Sequence, residues 1–389
     1  MPEFFATCPR GIEAPLAEEL RLAGAGPVSI VSGGASFSGD WAVAYRANLH
    51  SRIATRILWR VGEGAYRSEH DIYELVRSLP WPEWFDVART LRVYVTAIRS
   101  PLKSLDFVTL RIKDAVCDRF RSDGGARPSV DTVAPEVRIH AFLTAADVIL
   151  YLDTSGDPLY KRGFKRAAVE APVKENLAAG ILSLTAWTPT EPLLDPMCGS
   201  GTFVIEAAQI ALDIAPGLGR SFGFEKLRIF DRSLLARVRA DAAMRQRPIA
   251  PLAIYGSDLY GDQLKQARHN VAAAGLTQVV HLKQANVLEL PPPAERGVMV
   301  ANPPYGVRMT GSLKHEEFYR SLGDALKRRF AGWRCYLFSA DPQLPRSIGL
   351  RARRKTPLYN GALECRLYEY GIVAGSMRRD KATQCTKGA

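Results

Sequence analysis

Apolar residues recur along this chain with two alternating periods, close to 3.6 in some windows and close to 2 in others. Phe4–Thr7 opens as a strand, and Gly11–Ala23 places Ile12, Leu16 and Leu20 on one helical face. Val28–Ser32 returns as a strand, and Gly33-Gly34 turns it into Ala35–Ser38. From Trp41 to Trp59, Ala44, Leu49, Ile53 and Ile57 keep helical spacing and predict one long helix. His70–Leu79 is helical, with Ser68 as its cap and Pro80 as its stop. Leu91–Ile98 alternates as a strand and Phe107–Arg121 forms a second helix. Val137–Leu143 and Asp147–Asp153 make a hairpin across Thr144-Ala-Ala146.

Beyond it, Ser155-Gly-Asp-Pro158 and Lys161-Arg-Gly-Phe-Lys-Arg166 mark a linker. After the helix Val173–Trp187, strands and helices alternate: strand Pro192–Asp195, helix Thr202–Asp213, strand Leu252–Asp258, helix Gly261–Ala274. Strands Val279–Lys283 and Val298–Ala301, helix Glu316–Phe330 and strand Cys335–Ser339 continue the series, and Leu363–Ile372 ends it. Such alternation predicts an α/β fold with a doubly wound, mostly parallel sheet. Pro216–Pro251 interrupts the alternation as a partly helical insertion, and Ser376–Ala389 reads as a polar, basic, disordered tail.

With 389 residues, two or three domains are expected. Apolar residues make up 47% and charged residues 24%, which excludes a wholly disordered or fibrous chain. The net charge of +12 favours a polyanionic partner through phosphate contacts. The six cysteines are scattered without a CxxC pair, which argues against zinc, any other metal or a disulfide framework. No signal pattern and no membrane-length apolar run is present, so a cytoplasmic location is expected.

Two motifs carry chemistry. In Asp195-Pro-Met-Cys-Gly-Ser-Gly-Thr202, a strand end breaks into a glycine turn and then a helix. Gly199 and Gly201 allow the chain to reverse with its backbone against a ligand, and the helix start offers free N–H groups to a carboxylate. The dinucleotide pattern fits less well, because its third small position is Val204 and no acid follows about 20 residues on. Asp258, closing the next strand, suits the two hydroxyls of a ribose or else a helix cap. Asn286 suits an adenine edge or else a turn, and Lys174 with Glu175 walls the pocket or else opens a solvated helix.

The second motif, Asn302-Pro303-Pro304-Tyr305, follows an apolar strand. Two prolines stiffen the turn and leave carbonyl oxygens to accept. The Asn302 side-chain oxygen and the Pro303 carbonyl can hold both hydrogens of an exocyclic base amine, and Tyr305 can stack on the base. Together the motifs point to methyl transfer onto a ring amine, with S-adenosylmethionine as donor. Tyr359-Asn360-Gly361 reads as a hairpin, while Lys161–Arg166, Lys327-Arg-Arg329 and Arg351–Lys355 offer basic surface.

The chain resembles the bacterial 23S ribosomal RNA guanine-N2 methyltransferases that carry a THUMP domain. The resemblance rests on Arg10-Gly-Ile-Glu13, Arg127-Pro-Ser-Val-Asp131, Leu152-Asp-Thr-Ser-Gly156, Lys161-Arg-Gly-Phe164 and Ala171-Pro-Val-Lys-Glu175. Leu193–Phe203, Ala215-Pro-Gly-Leu218, Asn302–Gly306 and Tyr359–Gly361 complete it. It implies a ferredoxin-like segment over 1–42, a THUMP RNA-binding domain over 43–154 and a linker over 155–170. A Rossmann-like class I methyltransferase domain with a seven-stranded sheet would follow over 171–372, with a tail over 373–389. By motif match, Asp195, Gly199, Gly201, Thr202 and Asp258 would line the donor pocket, and Asn302 to Tyr305 would handle a guanine of 23S ribosomal RNA; Pro196 and Cys198, in the same turn, are further donor-pocket candidates. Asn286 stands where such enzymes usually carry Asp. Transfer RNA as substrate, and a catalytically silent assembly factor, are the competing readings.

Overall fold

The computed structural model describes residues 1–165, 173–304 and 312–373. The expected tail over Ser376–Ala389, the end of the expected linker and Tyr305 lie outside them. The chain divides into two compact units. The first comprises Met1–Leu184, Ala208–Ile249 and Leu358–Ala362; the second comprises Thr185–Ala207, Ala250–Pro357 and Leu363–Ala389. Among the described residues no helix is long and apolar enough to cross a membrane.

The first unit opens with β1 (Glu3–Thr7), α1 (Glu13–Leu22), β2 (Val28–Val31), β3 (Gly34–Ser38) and α2 (Trp41–His50). β4 (Arg56–Ala65), α3 (Glu69–Ser78), α4 (Trp81–Trp84), β5 (Leu91–Ala97), α5 (Leu105–Gly124), β6 (Val137–Leu143), β7 (Asp147–Asp153) and α6 (Glu175–Leu184) follow. Seven strands form one sheet in the order β2-β3-β1-β4-β7-β6-β5, antiparallel except for the β5–β6 pair. Ser68 caps α3 in a reciprocal box with Asp71. β6 and β7 pair across the Thr144–Ala146 turn as their alternation indicates.

The single helix expected from Trp41 to Trp59 is corrected: α2 stops at His50 and β4 begins at Arg56. The cause is tertiary. Half-buried Glu19 accepts hydrogen bonds from the Ser51 hydroxyl at 2.6 Å and from the backbone N–H groups of Arg52 and Ile53 at 3.1 and 3.2 Å. Those donors are thereby drawn from the helical ladder, and the β-branched and aromatic run Ile57–Trp59 pairs with β1 instead. The described part of the linker is not a free tether either. The Ser155 hydroxyl donates to Asn48 and accepts from the Ile57 N–H, and Arg162 donates to the Leu159 and Arg52 carbonyls.

The second unit carries β8 (Leu193–Asp195) and the start of α7 (Thr202–Ala211). The inserted segment contributes α8 (Arg232–Arg245) to the first unit, where Tyr45 stacks on Phe224 with centroids 4.1 Å apart. The alternation resumes with β9 (Ile254–Asp258), α9 (Gly261–Ala273), β10 (Val280–Gln284) and β11 (Val298–Ala301). α10 (Ser312–Arg329), β12 (Arg334–Ser339), α11 (Leu344–Ser347), β13 (Arg354–Asn360) and β14 (Leu363–Gly371) complete it. The sheet order is β10-β9-β8-β11-β12-β14-β13. The first five strands run parallel and β14 runs antiparallel to β12, so the expected seven-stranded, mostly parallel sheet is present.

The chain leaves β8 towards β9 and β10 and then returns to place β11 on the other side. That reversal makes the carboxyl ends of β8 and β11 a topological switch point, the place where open α/β sheets bind ligands. Beneath it, Met299 and Ala301 of β11 pack with Tyr319, Leu322 and Leu326 of α10 in a fully buried cluster. The hairpin read at Tyr359-Asn360-Gly361 joins β13 to β14, while the extent of β13 was not read, because its first residues carry Arg354, Lys355 and Pro357, all typical of an edge strand.

Candidate active site

Asp195 ends β8 with a buried side chain, and its Oδ1 accepts from the Met197 N–H at 3.2 Å. The chain then turns: the Cys198 N–H bonds the Ser257 carbonyl at 2.8 Å and the Gly201 N–H returns to the Cys198 carbonyl at 2.7 Å. Gly199 and Gly201 hold φ of 50° and 82°, the left-handed region that only glycine enters freely. A Cβ on Gly201 would sit 3.4 Å from the Ala267 Cβ, in ordinary contact with α9, so the positive φ and not space is what calls for glycine there. Thr202 is buried at the start of α7, its hydroxyl 3.3 Å from that of Ser200.

Asp258, at the end of β9, faces the same turn. Its Oδ2 accepts from the Gly199 N–H at 2.9 Å and its Oδ1 from the Tyr260 N–H at 3.0 Å. The N-cap of α9 is Tyr260, so Asp258 is not that helix's cap. Each oxygen keeps a further lone pair for a hydroxyl. Burial, reinforced by the charge of Asp258, pushes the Asp195 carboxyl well above the usual carboxylate range. The same burial raises the Cys198 thiol, which leaves it protonated and no nucleophile.

Asn286 stands just after β10, where its oxygen accepts from the Leu288 N–H at 3.1 Å and its amide donates to Glu289 at 3.3 Å. The side chain thus closes its own turn. A cavity of 310 Å³ lies on the sheet face between Tyr255, His281, Lys283 and Pro291–Pro293; none of the motif residues lines it.

Asn302 follows β11, one strand from Asp195. Its carboxamide oxygen is buried and has no hydrogen-bond partner among the described residues. Buried acceptors are nearly always paired, so an orphan at a strand end of an open α/β sheet marks a place prepared for a donor. Pro303 is buried beside it, and the Tyr319 hydroxyl donates to the Pro304 carbonyl at 3.4 Å.

Lys174 and Glu175 belong to the first unit, and their side chains have other partners there. The Lys174 ammonium lies over the Tyr160 ring at 5.0 Å, and Glu175 pairs with Lys165 at 3.3 Å. Two supporting residues escaped the sequence reading. Tyr319 sits within the apolar stripe of α10 and gives no sign that its hydroxyl holds the loop. Asn270 could have been found, as a polar residue among Leu264, Ala267 and Val271 on the buried face of α9; its amide holds the Ser200 carbonyl at 2.9 Å.

Three family models match the chain: a ferredoxin-like domain of RlmL over residues 3–58, a THUMP domain over 66–153 and an RMKL-like methyltransferase domain over 162–369. A protein of Aeromonas salmonicida named Ribosomal RNA large subunit methyltransferase K/L is 39% identical over 98% of this chain and 56% of its own length. The chain therefore spans about half the length of the curated relatives it matches. Among solved structures, a methyltransferase complexed with SAH aligns with a TM-score of 0.87 at 32% identity, over 96% of this chain and 99% of that one. Another, described as a predicted N6-adenine-specific DNA methylase from Listeria monocytogenes, aligns with a TM-score of 0.86 at 30% identity, over 95% and 96%.

Proposed function

We propose that this chain, which belongs to the family of RMKL-like methyltransferases with THUMP and ferredoxin-like domains, methylates the exocyclic N2 of a guanine in 23S ribosomal RNA in the cytoplasm. The observation that carries the reading is the buried Oδ1 of Asn302, unpaired among the described residues and one strand away from the buried carboxyl of Asp195. The relatives' name, which specifies large-subunit ribosomal RNA, supports the substrate.

The donor pocket consists of Asp195, Pro196, Cys198, Gly199, Gly201, Thr202 and Asp258. These residues fit S-adenosylmethionine: it has a cationic methionine end for the buried Asp195 carboxyl and a ribose diol for Asp258, whose oxygens keep spare lone pairs. When bound, it supplies an activated methyl group on a sulfonium. Lys174 and Glu175 stay outside this set because of their contacts with Tyr160 and Lys165. Asn286 contributes by fixing the turn after β10.

The amine of guanine is a poor nucleophile because its lone pair is spread into the ring. Asn302 Oδ1 and the Pro303 carbonyl accept its two hydrogens and turn the lone pair outward. As positive charge grows on the nitrogen, these fixed acceptors stabilise the transition state more than the ground state. The proton leaves afterwards to water. Tyr305 supplies a stacking face for the extruded base.

Purified full-length chain, labelled S-adenosylmethionine and either 23S ribosomal RNA or transfer RNA test the reading. Digestion and mass spectrometry should find 2-methylguanosine in 23S RNA. Label confined to transfer RNA, or on adenine, would overturn it.

A further inference from the structure

The first unit contains a cleft of 230 Å³ that none of the chemistry above uses. Two aromatic rings line it, each matched with a cation. The Arg10 guanidinium lies 3.7 Å from the centroid of Tyr359, and the Lys174 ammonium 5.0 Å from that of Tyr160. Four residues from four separate stretches thus converge as two cation–ring pairs.

The cleft is rigidly built. Glu13 accepts from the Gly11 N–H at 2.8 Å and the Gly33 N–H at 2.9 Å, so the loop that carries Arg10 is held from below. The amide of Asn176 donates to the Ile53 carbonyl at 3.2 Å and the Thr55 hydroxyl at 3.0 Å, and the Leu159 N–H bonds the Thr55 carbonyl at 2.8 Å. Tyr359 immediately precedes the turn at Gly361, whose φ is 66°. Arg10 is exposed, and Tyr160, Lys174 and Tyr359 are half-buried, so the rings and charges are presented to a ligand.

We propose that this cleft binds a single-stranded nucleotide of the RNA substrate, its base stacking on the face of Tyr359 or Tyr160 and its phosphate meeting Arg10 and Lys174. A ligand that combines a planar π face with a negative charge satisfies both halves of each pair. Peptides and lipids rarely offer that combination, whereas every nucleotide does. The inference rests on the proposed RNA substrate and adds where a nucleotide other than the methylated one is gripped.

The test uses the full chain and a labelled single-stranded RNA oligonucleotide, with anisotropy read at several salt concentrations. SAH titration and thermal unfolding serve as controls. Tyr359→Leu should weaken RNA binding about tenfold or more, as loss of a stacking ring does. Arg10→Ala should weaken it and also flatten the salt dependence by about one phosphate contact, whereas Tyr359→Leu should leave the slope alone. Tyr359→Phe should bind like the unaltered chain, since the ring and not the hydroxyl is engaged. SAH affinity and unfolding temperature should stay unchanged in all three. If the unaltered chain binds RNA and both Tyr359→Leu and Arg10→Ala bind it equally well, the cleft is no nucleotide site, though the proposed methylation stands. If the unaltered chain binds SAH but no RNA, the substrate reading itself fails and takes the cleft with it.

Discussion

Replacing Asn302 by leucine should raise stability and sharply lower activity together. The carboxamide oxygen is buried and has no partner among the described residues. An unsatisfied buried polar group costs about 1–3 kcal/mol, and an apolar side chain of the same shape removes that cost. Set against the loss of whatever the amide nitrogen contributes, about 1 kcal/mol, the net gain is about 1 kcal/mol. In a unit of this size that raises the unfolding midpoint by about 2–4 °C. Loss of one preorganised acceptor should reduce the methyl-transfer rate by about 10²–10³. Calorimetric melting without donor, together with initial rates at saturating donor and RNA, reads both quantities. SAH affinity should move less than twofold, because the proposed donor contacts lie on β8, β9 and the start of α7 and not on Asn302. A variant that melts several degrees lower, or that keeps more than a tenth of the rate, would show that Asn302 is a structural turn residue.

Asp195 should behave likewise with respect to pH. Its carboxyl is held well above the usual range by burial and by Asp258, so the folded chain retains a proton that the unfolded chain releases. Stability of the donor-free protein therefore falls as pH rises from the unfolded carboxylate value towards the raised folded one. Asp195→Asn should remove that fall in a series of thermal melts and weaken SAH binding about 10–150-fold, the value of a charged hydrogen bond; melts that follow the unaltered pH profile would contradict it. Gly199→Ala should destabilise by about 1–2 kcal/mol through its positive φ alone, since a Cβ there meets nothing within 4 Å; a neutral effect in denaturant titration would contradict the strain. Tyr319→Phe frees the Pro304 carbonyl and should lower kcat about fivefold, with the SAH affinity unchanged; an unaltered kcat would remove Tyr319 from the positioning of the loop.

The parts of this fold written in the chain are those whose causes are local. The hairpin of β6 and β7, the Ser68 cap and the glycine turn after Asp195 each depend on neighbouring residues and stand where the sequence placed them. The end of α2 depends on Glu19, which lies 32 residues before Ser51, and no window of periodicity reaches that far. β13 hid because edge strands carry charge and proline, the same signals that mark a loop. In the site, Asn302 and Asp195 were legible as motif residues, whereas Tyr319 acts through a hydroxyl inside an apolar stripe that reads only as core.

Residues 208–249 and 358–362 count with the first unit although the stretches on either side of them count with the second. Helix α7 itself begins in one unit and ends in the other. No single scissor point along the backbone separates two whole halves. Truncation after Leu184 yields a fragment that lacks α8 and a remainder that carries Phe224 without the Tyr45 ring it stacks on. Moving either unit into another protein would have to carry interleaved pieces of chain.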